Sequence, residues 1–296
     1  MLDQLPSHGR YDYSGISERP RFTWPNGARV ALYVGCALEH YAFGEGIAED
    51  LVPGGSHPDV LNTSWREYGN RVAAWRLLDL FAEHRLPVGL LLNSAVCDHA
   101  PSLVEAYRAA GHELIAHGHS NSQTLAGMTD AQQAAYVTQV AERMARAGQK
   151  PSGWAGPWMA ETLTTPDVLA EQGYGYILDW CMDDQPVWMN TRAGKLLSVP
   201  YSQELNDSAA IIGRQMSAAD FSDMIVDQFD EMLATAKDGR PVVMSVILHA
   251  FIIGQPFRMR QLRRALNYIL APRPEVWITR PGDIAEHFRT LPGTIA

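Results

Sequence analysis

Glu113-Leu114-Ile115-Ala116-His117-Gly118-His119-Ser120-Asn121 runs from four residues of strand character straight into imidazole, hydroxyl and amide groups set around a glycine. A short apolar run that stops in such chemistry marks a parallel strand whose carboxyl end helps to build a site. Two other runs stop in the same way. Residues 29–38 lead into Glu39-His40, and residues 242–248 lead into His249. Between these runs the pattern alternates. Strands are expected at 29–38, 88–93, 113–116, 153–156, 176–179, 242–248 and 276–278, and helices at 65–85, 101–110, 130–147, 165–172 and 259–270. In the first of those helices Val72, Trp75, Leu77, Leu78, Leu80 and Phe81 recur at helical spacing, and Pro87 closes it. Alternation of this kind implies an α/β fold with parallel strands and helices outside.

Composition sets the outer limits. A chain of 296 residues with 46% hydrophobic and 19% charged residues is ordinary for a compact fold, and single α/β barrels reach this length. Residues 1–28, rich in Pro, Gly and Arg, read as an extended arm of the sort that often bridges subunits, and 29–296 as one catalytic domain. The formal charge of −9 and the lack of a basic stripe argue against nucleic acid as a partner. Arg258, Arg260, Arg263 and Arg264 read as a solvated face or a set of ion pairs rather than an anion site. Cys36, Cys97 and Cys181, odd in number and far apart, read as reduced, buried thiols. No basic region followed by an apolar run opens the chain, and no uncharged stretch is long enough to cross a bilayer, so a cytoplasmic protein without a membrane partner is expected.

The order of groups at the strand ends is an acid after the first, a histidine segment after the third, then Gly156-Pro157-Trp158, Asp179-Trp180 and Leu248-His249. It resembles the polysaccharide deacetylase superfamily, and the resemblance covers most of the chain. Tyr68-Gly69-Asn70-Arg71 with Trp75-Arg76-Leu77, Gly111-His112-Glu113, and Ile252-Ile253-Gly254-Gln255-Pro256 with Arg258 are similar to its allantoinase-like, cytosolic branch. The resemblance implies a distorted, irregular (β/α) barrel, a hydrolase of carbon–nitrogen bonds other than peptide bonds, and a homo-oligomer, a tetramer by analogy with the branch.

The deacetylases of this superfamily follow the first strand with Thr-Phe-Asp-Asp, the first acid a base and the second a metal ligand. Here Ala37-Leu38-Glu39-His40 puts Glu39 at the base position and His40 at the ligand position, in a register that a one-residue shift would change. Two ligating histidines four residues apart are the next motif, and here His117 has Asn121 as that partner. An amide is a weak ligand for a transition metal, and His119, two residues on, points differently. The resembling allantoinases are described as opening a cyclic ureide without an obligatory metal, so no cofactor is expected. Ring opening then needs side chains alone. Glu39 is the candidate base, His249 the acid or oxyanion donor, His117 the group that orients water or substrate, and Asp179 the acid that orients a histidine. Trp158, Trp180, Tyr201, Glu204, Asn206 and Asn121 are the candidate contacts to a small-molecule substrate, and residues 45–62 form either a lid or a subunit contact. Two alternatives stand beside this reading. One is deacetylation of an N-acetylated sugar or small amide with a divalent metal such as zinc, held by His117 with Glu39 or His40, with or without His119. The other is an inactive ligand-binding relative.

Overall fold

In the computed structural model, which describes residues 6–292, the strands join into one sheet. They are β1 (Val30–Leu38), β2 (Val88–Leu92), β3 (Glu113–Ala116), β4 (Gly153–Trp154), β5 (Tyr176–Ile177), β6 (Val187–Thr191), β7 (Gly194–Ser198), β8 (Val242–His249) and β9 (Val276–Thr279). Their order is β6-β7-β5-β4-β3-β2-β1-β8, with β9 beside β1. Every pairing is parallel except the β6–β7 hairpin. Strand β1 is the axis: β8 runs along one side from Val30 to Ala37, while the other is shared by β9 at Val30–Tyr33 and β2 at Val34–Leu38. All nine of its residues are buried, as a parallel strand covered on both faces requires.

Alternation along β1 separates two cores. Val30, Leu32, Val34, Cys36 and Leu38 face the helices, while Ala31, Tyr33 and Ala37 face inward with Leu91, Ile115, Tyr176, Leu197 and Ile247. The inward set fills the interior of a curled sheet. Closure is incomplete: β7 and β8 do not pair, and the gap is spanned by an isolated bridge from Asn206 to Ile247. The result is the distorted, irregular α/β barrel that the sequence implied. Its carboxyl ends bring the residues after β1, β3 and β8 to one mouth.

Three features differ from the sequence reading. The helix expected at 65–85 is built in three parts: Val60–Tyr68, a π-helical stretch Gly69–Ala73, and Ala74–Glu83. Asp59 starts it early by accepting the Asn62 N–H. At Gly69 the π turn lies so close to Phe251 that a Cβ would stand 2.9 Å from the Phe251 Cβ. The second difference is the β6–β7 hairpin and the helices Ala218–Thr235 and Pro281–Thr290, for which no element was assigned. The third is Cys181, which is exposed.

The N-terminal arm crosses this chain's own surface. Arg10 pairs with Asp167 at 2.6 Å, Arg19 with Asp183 at 2.5 Å, and the buried Trp24 donates from Nε1 to the Val242 carbonyl at 3.0 Å. Arg263 and Arg264 of the basic cluster pair with Glu83 and Asp223 of the same chain. Among the described residues no helix is long and apolar enough to cross a membrane.

Candidate active site

Glu39, first residue after β1, is 6% exposed at the mouth of the barrel. A buried carboxylate needs donors, and two are supplied: Asn121 Nδ2 donates to Oε1 at 2.6 Å and the Tyr41 hydroxyl to Oε2 at 2.6 Å. Oε1 also lies 3.4 Å from His117 Nε2 and 3.4 Å from His249 Nε2. Burial pushes the Glu39 carboxyl up, but His249, His117 and the Tyr41 hydroxyl outweigh it and hold the group below its ordinary range. It is a carboxylate at neutral pH.

The two imidazoles are turned toward Glu39 by acceptors behind them. His117 Nδ1 faces the Ala155 carbonyl at 2.6 Å, so Nδ1 carries the hydrogen and Nε2 points at Glu39. His249 Nδ1 lies 2.6 Å from Asp207 Oδ1, and both Asp207 oxygens accept the His249 backbone N–H at 3.0 Å. Burial alone would lower the pKa of His249, yet Glu39, Asp207 and Glu49 around it push it up to about 9. His249 is therefore an imidazolium set between two carboxylates.

Backbone turns position these groups. Asn70, in the π-helical stretch, donates to the Glu39 carbonyl at 2.7 Å, which gives the Tyr68-Gly69-Asn70-Arg71 segment a structural task. Asn93, at the end of β2, accepts the His40 N–H at 2.8 Å and donates to Asn121 Oδ1 at 2.9 Å and to the His117 carbonyl. One buried amide thus ties the ends of β1, β2 and β3 together. Gly118 holds φ +64°, and a Cβ there would meet Pro157 Cγ at 2.6 Å. Across the mouth, Trp158 and Met159 hold left-handed φ of 60° and 53°, a local strain, while Trp158 Nε1 donates to the Asn121 carbonyl at 2.7 Å.

These residues line a cleft of about 90 Å³ with Glu39, Glu49, His117, Asn121, Trp158, Tyr201, Asn206 and His249 on its walls. Of the sequence-derived substrate contacts, Asn121, Trp158, Tyr201 and Asn206 border it. Asn206 is largely occupied within the fold, donating to the Tyr201 hydroxyl at 3.1 Å and accepting the Ser208 N–H at 2.9 Å.

Other expectations are corrected. Glu204 is exposed and pairs with Arg214 at 2.6 Å. Trp180 Nε1 donates to Glu161 Oε1 at 2.7 Å, and its ring packs against Tyr11 of the arm. Asp179 has no histidine on its carboxylate: Oδ1 accepts the Gly156 N–H at 2.7 Å, and the group shares a buried setting with Glu161. The acid that orients a histidine is Asp207, the last residue of the Glu204-Leu205-Asn206-Asp207 segment, where a π-helical turn (Ser208–Gly213) begins. His40 stacks on His99 with ring centroids 3.9 Å apart, and burial, then His99 and His119, lower its pKa to about 4. His119 meets the Ser94 hydroxyl at 3.0 Å. Glu49 reaches the cleft from the 45–62 loop, and Ser208 Oγ donates to its carboxylate, 2.9 and 2.8 Å from the two oxygens. Glu49, Asn70 and Asn93 were not signalled by spacing in the sequence.

The metal set fails on its donors. His40 and His119 face elsewhere, the Asn121 amide is spent as a donor to Glu39, and among the described residues no group of three or more His, Cys, Asp or Glu is arranged to hold an ion. The residues present do not fit a deacetylase metal centre.

Residues 63–177 match the family model for polysaccharide deacetylase. A Schizosaccharomyces pombe protein that carries the polysaccharide deacetylase name is 25% identical over 309 residues, 93% of this chain and 95% of that one. Among solved structures, PuuE allantoinase superposes with a TM-score of 0.81 and 27% identity over 99% of this chain and 100% of its own. The chain is similar along most of its length to proteins of the polysaccharide deacetylase superfamily. A Pseudomonas aeruginosa PAO1 structure bearing that family's name is 28% identical, with a TM-score of 0.78 over 93% of this chain and 96% of that one. Deacetylase-type and allantoinase-type members of the superfamily are hydrolases of carbon–nitrogen bonds other than peptide bonds, and this chain is similar to both types.

Proposed function

We propose that this protein opens the ring of a small cyclic amide, imide or ureide by hydrolysis, using Glu39 as base and His249 as acid and oxyanion donor. The observation that carries the reading is the Asn121 amide on Glu39 Oε1 at 2.6 Å. At the position where the deacetylases place a second ligating histidine, this chain supplies a neutral donor that braces the base. The size of the cleft, about 90 Å³ against the roughly 300–1,000 Å³ of ordinary ligand pockets, also favours a small ring over a glycan.

In this scheme a water at Glu39 Oε1, placed beside His117 Nε2, gives that oxygen one proton and attacks the ring carbonyl with an oxygen lone pair. His249 Nε2–H faces the oxygen that gains charge and then protonates the departing nitrogen as the carbon–nitrogen bond breaks. The proton on Glu39 Oε1, 3.4 Å away, restores His249. No metal enters these steps. A homo-oligomer, a tetramer by resemblance, and a cytoplasmic location complete the proposal, the former to be read by analytical ultracentrifugation.

The test is hydrolysis of cyclic ureides and imides beside N-acetylglucosamine oligomers, on metal-analysed protein with and without chelator. Chelator-resistant ring opening, lost in Glu39→Gln and His249→Ala, is the expected result. Acetate release that requires a stoichiometric divalent ion would make this a deacetylase. Thermal stabilisation by ligands with no turnover at all would make it a binding protein.

A further inference from the structure

We propose that Glu49 recognises the substrate: its carboxylate takes the N–H edge of the ring, so the cleft selects neutral or cationic N–H-rich rings and turns away rings that carry a carboxylate. The inference rests on the ring-opening reading and names the substrate class for it.

Glu49 is half-buried on the wall of the cleft that Glu39, His117 and His249 also line. Among the described residues its two oxygens face one side-chain donor, Ser208 Oγ. A hydroxyl has one hydrogen, whereas a carboxylate accepts about four, so most of the capacity of Glu49 is left for a ligand. Its backbone is fixed. Arg66 Nη1 donates to the Glu49 carbonyl at 2.7 Å and pairs with Asp50 at 3.0 Å, while the Ile47 N–H reaches the Ser122 carbonyl at 3.3 Å. The side chain is thus held in place by a wall rather than carried on a free strand of loop.

Charge decides which ligand suits it. Among the described residues no Lys or Arg side chain lines the cleft. Glu39, Glu49 and Asp207 surround one imidazolium, His249, so negative charge is in excess. A ring carboxylate would enter against that excess with no cation reserved for it. A ureide, amidine or guanidine edge would meet two acceptors instead.

The experiment is isothermal titration of the full chain and its Glu49→Gln and Glu49→Asp variants with 5-ureidohydantoin and with hydantoin-5-acetate, together with turnover of both. Wild type is expected to bind the ureide at least about tenfold more tightly than the carboxylate-bearing ring. Glu49→Gln raises Kd and KM for the ureide about tenfold with kcat within about threefold, and narrows the preference, while Glu49→Asp recovers part of it. Equal affinity of Glu49→Gln and wild type for the ureide overturns the inference, as does equal binding of both rings by wild type. Binding that depends on Glu49 without ring opening upholds it and overturns the ring-opening reading. Ring opening indifferent to Glu49 does the reverse, and a wild type that binds neither ring overturns both.

Discussion

His249 Nδ1 lies 2.6 Å from Asp207 Oδ1, and the same carboxylate accepts the His249 backbone N–H, so one acid fixes both the ring and the strand end that carries it. The other ring nitrogen is thereby committed to Glu39. Asp207→Asn keeps the shape but removes the charge, and it offers a ring N–H a choice of amide ends. It is expected to lower kcat/KM on a cyclic ureide about 10²–10⁴-fold and to move the alkaline limb of the pH profile below the value of about 9 set by His249. An unchanged alkaline limb would show that Asp207 does not hold the proton on His249.

The pH profile itself follows from two opposite shifts. Glu39 is held below its ordinary range, so its base form persists into acid, and His249 stays protonated up to about 9. kcat/KM should be flat between these limits. Asn121→Asp replaces a donor on Glu39 with a second carboxylate, which raises the Glu39 pKa and shifts the acidic limb upward. Rates measured from pH 4 to 10 on both proteins check this; an acidic limb that does not move in the variant counts against Glu39 as the base.

Gly46 carries the loop over the cleft at φ +72°, where a Cβ would stand 2.2 Å from the Ser122 carbonyl oxygen. Gly46→Ala has to push the loop off that contact. A loss of about 1–3 kcal/mol in urea unfolding is expected, with a rise in KM larger than any fall in kcat because Glu49 moves with the loop. Unfolding curves and steady-state kinetics on one preparation separate the two effects.

Glu161 and Asp179 are buried together. Burial raises the pKa of each, and their mutual repulsion adds to the rise at Glu161, whose Oε2 and the Asp179 Oδ2 find no other donor. A carboxyl whose folded pKa is raised opposes folding increasingly as pH climbs above the ordinary carboxylate range. The His249 ion pairs work in the same direction. Their stabilisation is complete below the unfolded pKa of about 6.5 and is lost as pH rises through about 9. Glu161→Gln removes only the first effect. Its thermal midpoint should exceed that of wild type by a few degrees at pH 8 and match it near pH 4, by calorimetry across that range.

Much of the scaffold was legible because it is local. The apolar runs of β1, β2, β3 and β8 and their polar ends follow from strand periodicity, and a parallel sheet places such ends at one mouth. The segments Glu39-His40, His117–Asn121 and His249 could be picked out on that ground, and the family resemblance then singled out Glu39, His117 and His249 within them. The β6–β7 hairpin escaped because its burial is uneven and its residues do not alternate cleanly.

What the residue order determined by itself was the alternation of strands and helices, and hence a parallel α/β sheet with chemical groups at three strand ends, while the barrel was implied by the family resemblance. What only the tertiary structure decided was the company those groups keep. Asp207 meets His249 across 42 residues and Glu39 meets His117 across 78, distances over which no periodicity extends. Neighbouring acids look alike in the sequence: Glu204 lies in solvent and Asp207 under a catalytic-site histidine because the chain passes from an isolated bridge into a π turn between them. A side chain's direction at such a turn is set by the packing of distant segments, which is why the acid that holds His249 became visible only in the folded chain.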